Sequence, residues 1–247
     1  MKKILFIGES WFTYSVHQKG FDTFYTSEYT EGAGKFLTDM KNVGMHIDYV
    51  PAHLIENNVP DTVEKLKMYD SIIISDVGAN SFLLGKDTFV RSIKTPNKLQ
   101  VISDYVKEGG SLLMVGGYMS FTGIDAKARF GKSPLKDCLP IIMPECDDRV
   151  EMPEGIIPLK VASHTIIDNL PNEWPHLLGY NKFFAKGNAT TLVTLGKDPL
   201  LVIGEYGKGR SAAFASDLAP HWAPPEFVNW SEYPKFWEQL ILWLANK

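Results

Sequence analysis

Short apolar runs, each closed by a glycine or a polar turn, recur through the first half of the chain. Lys3–Gly8, 45–50 (ahead of Pro51), Ser71–Ser75 and Ser111–Val115 follow this pattern, which is that of strands buried on both faces. Between them the apolar period lengthens to that of a helix. Residues 31–43 place Phe36, Leu37 and Met40 on one face, residues 62–68 follow Asp61 as a cap, and 97–107 carry Leu99, Ile102 and Val106 to a stop at Gly109-Gly110. Strand and helix in alternation predict a parallel sheet covered on both sides. Right-handed crossovers narrow this to a flavodoxin-like, doubly wound sheet in an α/β fold.

The second half changes character. Residues 138–160 are rich in proline and show no helical period, which predicts an excursion or an antiparallel extension. The runs 191–195 and 200–205, joined by Gly196-Lys197-Asp198-Pro199, predict a hairpin. A further strand is expected at 211–215, after Tyr206-Gly207-Lys208-Gly209. The closing helix, Tyr233–Ala245, sets Phe236, Trp237, Leu240, Ile241 and Leu244 at helical spacing, a stripe suited to the core. With no linker, repeat or low-complexity stretch, residues 1–247 read as one domain.

Charge and cysteine content narrow the function classes. The net charge is −4, from 25 basic and 29 acidic residues, and only Arg91, Arg129, Arg149 and Arg210 are arginines. Nothing there favours a phosphate backbone, so no nucleic-acid partner is expected. No run is long enough to span a membrane, and the apolar run after Lys3 is too short for a secretion signal. Two cysteines, Cys138 and Cys146, without an export signal imply a reducing, cytoplasmic setting.

In a doubly wound sheet, ligands bind beyond the carboxyl ends of the strands. That rule selects Glu9, Ser10 and Trp11 after the first strand, with His17 further along the same loop, and Asp76 and Asn80 after the third. It also selects Gly117, Tyr118 and Ser120 after the fourth, and Asp217, His221 and Trp222 after the late strand. Gly116-Gly117-Tyr118 has the glycine pattern of a nucleophile elbow, a sharp strand-to-helix turn. Asp217 and His221, four residues apart, suit an imidazole oriented by a carboxylate. Gly204–Arg210 lacks the phosphate-loop frame, Gly32-Ala33-Gly34 lacks the dinucleotide fingerprint, and no tight metal-ligand motif occurs. No cofactor or metal is expected.

These segments together resemble the class I glutamine-amidotransferase-like proteins, across nearly the whole chain. The resemblance rests on Gly8-Glu9-Ser10-Trp11, Ser75-Asp76-Val77-Gly78-Ala79-Asn80, Met114-Val115-Gly116-Gly117-Tyr118-Met119-Ser120-Phe121 and Phe214-Ala215-Ser216-Asp217-Leu218-Ala219-Pro220-His221-Trp222. The later segments also look like the trehalose-utilisation and beta-galactosidase-trimerisation branches. The resemblance implies a cysteine on the elbow and a His-x-Glu pair after a late strand. This chain has Tyr118 at the first position and Ser216-Asp217 with His221 at the second. The expectation is therefore a protein that binds a small polar ligand without glutaminase chemistry. Two alternatives stand beside it. One is a hydrolase using His221 with Asp217 or Glu9, in which Tyr118 is a hydrogen-bond donor or weak acid. The other is an assembly role as a homo-oligomer, through the aromatic residues and the 138–160 excursion.

Overall fold

The computed structural model describes residues 1–245. Its strands are β1 (Lys3–Gly8), β2 (Ser10–Lys19), β3 (Asp22–Glu31), β4 (His46–Val50), β5 (Ser71–Ser75), β6 (Ser111–Val115) and β7 (Ile141–Ile142). They continue as β8 (Arg149–Ile156), β9 (Pro158–Lys160), β10 (Leu177–Asn181), β11 (Phe184–Ala185), β12 (Thr190–Leu195), β13 (Asp198–Tyr206) and β14 (Gly209–Phe214). Eight strands form the central sheet, in the order β4-β1-β5-β6-β14-β13-β12-β9.

The first five of these neighbours are parallel, and in chain order they read 2-1-3-4-5, the flavodoxin-like winding. The remaining three add on antiparallel. Ile4–Ile7, Ile72–Ile74 and Leu112–Val115 have no exposed surface, because helices cover both sides. The helix Gly34–Asn42 connects β1 toward β4, and Lys98–Lys107 connects β5 to β6 in the opposite direction along the sheet. Right-handed crossovers running in opposite directions place these helices on opposite faces. The helix Tyr233–Ala245 packs against Gly34–Asn42 and closes the first face. Its Trp237 meets Phe36 edge-on at 5.7 Å.

Three expectations are corrected in detail. The segment after β1 is not a loop. Its residues alternate, with many β-branched and aromatic side chains, and form the long hairpin β2–β3, which reverses at Gly20-Phe21. The helix expected at 31–43 accordingly starts only at Gly34. In the short helix Val63–Leu66 the N-cap is Thr62, whose hydroxyl accepts from the Lys65 amide, rather than Asp61. The proline-rich segment supplies β7, β8 and β9. Of these, β8 pairs antiparallel with β10, and β9 forms the sheet edge.

The winding reverses between β1 and β5, and the chain leaves β1 there with an unusual backbone. Gly8 has φ +104, and a β-carbon at that position would lie 2.0 Å from the Ser75 carbonyl oxygen. Both the conformation and the close approach require glycine. Gly8→Ala is therefore expected to lower the unfolding free energy by at least about 2 kcal/mol in urea denaturation. An unchanged midpoint would show that the end of β1 has room to relax.

Candidate functional site

Four strand ends converge on one cavity of about 360 Å³. Glu9 follows β1, Asp76 follows β5, Tyr118 follows β6, and Asp217 and His221 follow β14. Trp11 and Pro220 complete its lining. Glu9 (φ 49) and Asp76 (φ 40) both adopt left-handed backbone conformations, an uncommon geometry that concentrates at functional positions.

The three carboxylates are held by hydroxyl and backbone donors around them. The Ser75 hydroxyl donates to Glu9 Oε2 at 2.5 Å, and the Glu9 amide donates to the Ser75 carbonyl. Asp76 Oδ1 accepts from the Met119 amide at 2.7 Å, while the Asp76 amide donates to Ser120 Oγ at 3.1 Å. Asp217 Oδ2 accepts from the Trp222 amide and meets His221 Nδ1, each at 2.9 Å. Asp217 Oδ1 is buried without a hydrogen-bond partner. Between these groups lies Gly117 (φ +137). A β-carbon there would come within 2.6 Å of Asp76 Oδ1 and 2.8 Å of Asp217 Oδ1, so the absence of a side chain lets the two carboxylates approach.

Burial and mutual repulsion shift their protonation. Glu9 is raised well above the usual carboxylate range by desolvation, then by the charges of Asp76 and Asp217. Asp76 is raised to about 6, by desolvation first and Asp217 second. His221 is raised, chiefly by its hydrogen bond to Asp217. This imidazole and the Tyr118 ring pack nearly perpendicular, with centroids 4.2 Å apart.

Tyr118 is fixed on several sides. Its hydroxyl donates to Glu151 Oε1 at 2.9 Å, the Arg149 guanidinium lies over its ring at 4.8 Å, and Trp222 packs against it at 5.3 Å. Glu151 Oε2 also accepts from Trp222 Nε1 at 2.9 Å. Burial, followed by the Glu151 hydrogen bond, raises the phenol pKa. The elbow differs from the expected strand-to-helix turn: residues 116–123 form turns and bends, and only the short 3-10 turn Ile124–Ala126 follows them in place of an α-helix, with positive φ at Gly117, Phe121 and Gly123.

Of the residues selected from the sequence, Glu9, Trp11, Asp76, Tyr118, Asp217 and His221 line the cavity. Gly117, Ser120 and Trp222 support it from behind. Three others lie away from the lining. His17 is carried out along β2, where it stacks on Phe24 and meets Thr26 Oγ1. Ser10 is buried and accepts from the Ala52 amide. Asn80 is exposed at the start of the helix Asn80–Leu83. Among the described residues, no group of three or more His, Cys, Asp or Glu side chains is arranged to hold a metal ion.

Sequence reasoning did not select the residues that brace the elbow. Asp148 accepts from the amides of Thr122 and Gly123 and from Asn181 Nδ2, and Asn181 Oδ1 accepts from the Gly117 amide. With Arg149 and Glu151 these residues come from β10 and from the segment leading into and along β8. The only sequence signal there was the charged run Asp147-Asp148-Arg149-Val150-Glu151 inside a proline-rich stretch.

A flavodoxin-like sheet with an acidic crevice at its switch point defines the α/β architecture of this chain. The chain matches the GATase1_like family, described as "Putative glutamine amidotransferase", over residues 3–246, and belongs to that family. Two proteins of Salmonella typhimurium, each described as cytoplasmic, are 47% and 44% identical to it. Both align with a TM-score of 0.96 over 99% of this chain, covering 100% and 99% of their own lengths. A ThuA-like protein from Bacteroides uniformis shares the fold at 15% identity, with a TM-score of 0.56 over 99% of this chain and 89% of its own. No curated protein matches the sequence.

Because its folded-state pKa lies near 6 against an ordinary 3.8, native Asp76 holds a proton that the unfolded chain has released. The stability it contributes is present at low pH and lost as pH rises through that window. Asp76→Asn keeps an acceptor for the Met119 amide and removes the titration. The stability of Asp76→Asn relative to wild type should therefore rise by roughly 2–3 kcal/mol between about pH 4 and pH 7 in denaturant titrations. A pH-independent difference would contradict this account of Asp76.

Proposed function

We propose that this protein binds a small polar molecule at the carboxyl edge of its sheet and carries out no glutaminase reaction. The observation that carries the reading is Asp217 Oδ1, a buried carboxylate oxygen on the cavity lining with no partner in the protein. Such an atom bears a desolvation cost that a ligand N–H or O–H would relieve. The neighbouring acids favour a ligand rich in donors, such as an amine or a sugar. The rings of Trp11 and Tyr118 supply apolar surface beside them.

Glutaminase chemistry lacks a nucleophile here. The Tyr118 phenol is held protonated and bonded to Glu151. Cys138 is buried, with its thiol pushed up to about 12 by desolvation, and neither cysteine lines the cavity. The cytoplasmic description of the two Salmonella relatives supports a cytoplasmic location.

A second reading, a hydrolase with His221 as base, draws support from the 2.9 Å contact of its Nδ1 with Asp217. The same contact raises the imidazole pKa, which lowers the fraction of free base near neutrality. Calorimetry with a panel of sugars, amines and amino acids distinguishes the readings. At least one class should bind, Asp217→Asn should weaken that binding by about tenfold or more, and glutamine should release no ammonia. A flat panel for wild type would remove the binding proposal. Ester or amide hydrolysis that is lost in a folded His221→Ala variant would replace it with the hydrolase.

A further inference from the structure

The hairpin β2–β3 touches the cavity only through Trp11, and its two faces differ. Its register sets Phe12 opposite Tyr29, Tyr14 opposite Ser27 and Val16 opposite Tyr25, so these side chains share one face. From Phe12 to the tip that face carries no ionised group. Lys19, Asp22 and Glu28 all lie on the reverse. At the root, Phe12 and Tyr29 pack against His53 at 5.6 and 5.0 Å. Further out the apolar side chains stand in solvent: Tyr14 is 78% exposed, Val16 65% and Tyr25 75%. Phe21 caps the tip, fully exposed. Both outer edges of the two-stranded ribbon are unpaired.

The geometry points to this aromatic face as the contact through which two copies of the chain associate. The exposed parts of its four aromatic rings, with Val16, amount to on the order of 500 Å² of apolar surface. A stable pair buries roughly 800 Å² on each partner, a little over half of it apolar, so the face supplies what a dimer requires. An uncharged face offers nothing to a phosphate or to an acidic or basic peptide, yet it meets its own image without like-charge repulsion. A lone two-stranded ribbon is also marginal in water, and two of them packed face to face about 10 Å apart make a four-stranded sandwich with a dry centre. This association is independent of whichever ligand fills the cavity.

Sedimentation velocity on the full chain across a concentration series, combined with hydrogen exchange, tests it. Wild type should form a dimer or a higher even-numbered assembly, and the hairpin amides should gain protection as it fills. Tyr14→Lys with Tyr25→Lys should weaken association by roughly a hundredfold or more at an unchanged circular dichroism spectrum. Thr26→Lys, on the reverse face, should leave association unchanged. If the double variant does not fold, the wild-type exchange pattern decides. A monomer at every concentration overturns the proposal, and so does an assembly whose hairpin amides exchange freely. A monomer whose hairpin is protected only by a different protein or by lipid vesicles overturns it as well.

Discussion

The parallel pairing of β6 with β14 is the constraint on which the rest of this site depends. Val115 sits opposite Phe214, and one residue later the Gly116 amide donates to the carbonyls of both Phe214 and Ser216, at 2.8 and 3.0 Å. That shared bond keeps the two chain ends side by side just beyond the sheet, where the next residues are Gly117 and Asp217. On the other flank, the β1–β5 pairing ends at Gly8 opposite Ser75 and delivers Glu9 and Asp76 together. Four residues distant in sequence become neighbours because backbone ladders end in register.

Placing three acids in one crevice has a cost, and the surrounding groups distribute it unevenly. Glu9 is buried and is pushed well toward its neutral form by desolvation and the neighbouring carboxylates. Asp76 is shifted to the edge of the physiological range. Asp217 engages the imidazole and a backbone amide through one oxygen and leaves the other bare. The crevice thus presents a graded set of groups, a donor-capable acid beside free acceptor capacity, over a distance short enough for one small molecule to span.

The parallel half of the fold was legible because its strands are buried on both faces and announce themselves as apolar runs ended by glycine. The acidic residues of the site followed from the same rule, since each lies one to three positions past a strand end. The hairpin β2–β3 was missed for the opposite reason. Its alternation serves a ribbon that no sheet of this chain covers, so Thr, Ser and Tyr between aromatics read as loop. His17 was carried away from the site with it. The bracing by Asp148, Glu151 and Asn181 was illegible because it joins segments more than 20 residues apart through side-chain bonds, for which neither periodicity nor spacing leaves a trace.

The clamp around Tyr118 makes that one ring a structural part of the crevice wall. Glu151 divides its two oxygens between the phenol and the Trp222 indole, and Arg149 lies over the same ring. Replacing that ring with a thiol would strand a carboxylate oxygen, unseat a guanidinium and open space beside an indole, all without supplying a paired base. Several neighbours bond to or pack on this tyrosine, so a change at position 118 would require coordinated change at positions that each look harmless alone.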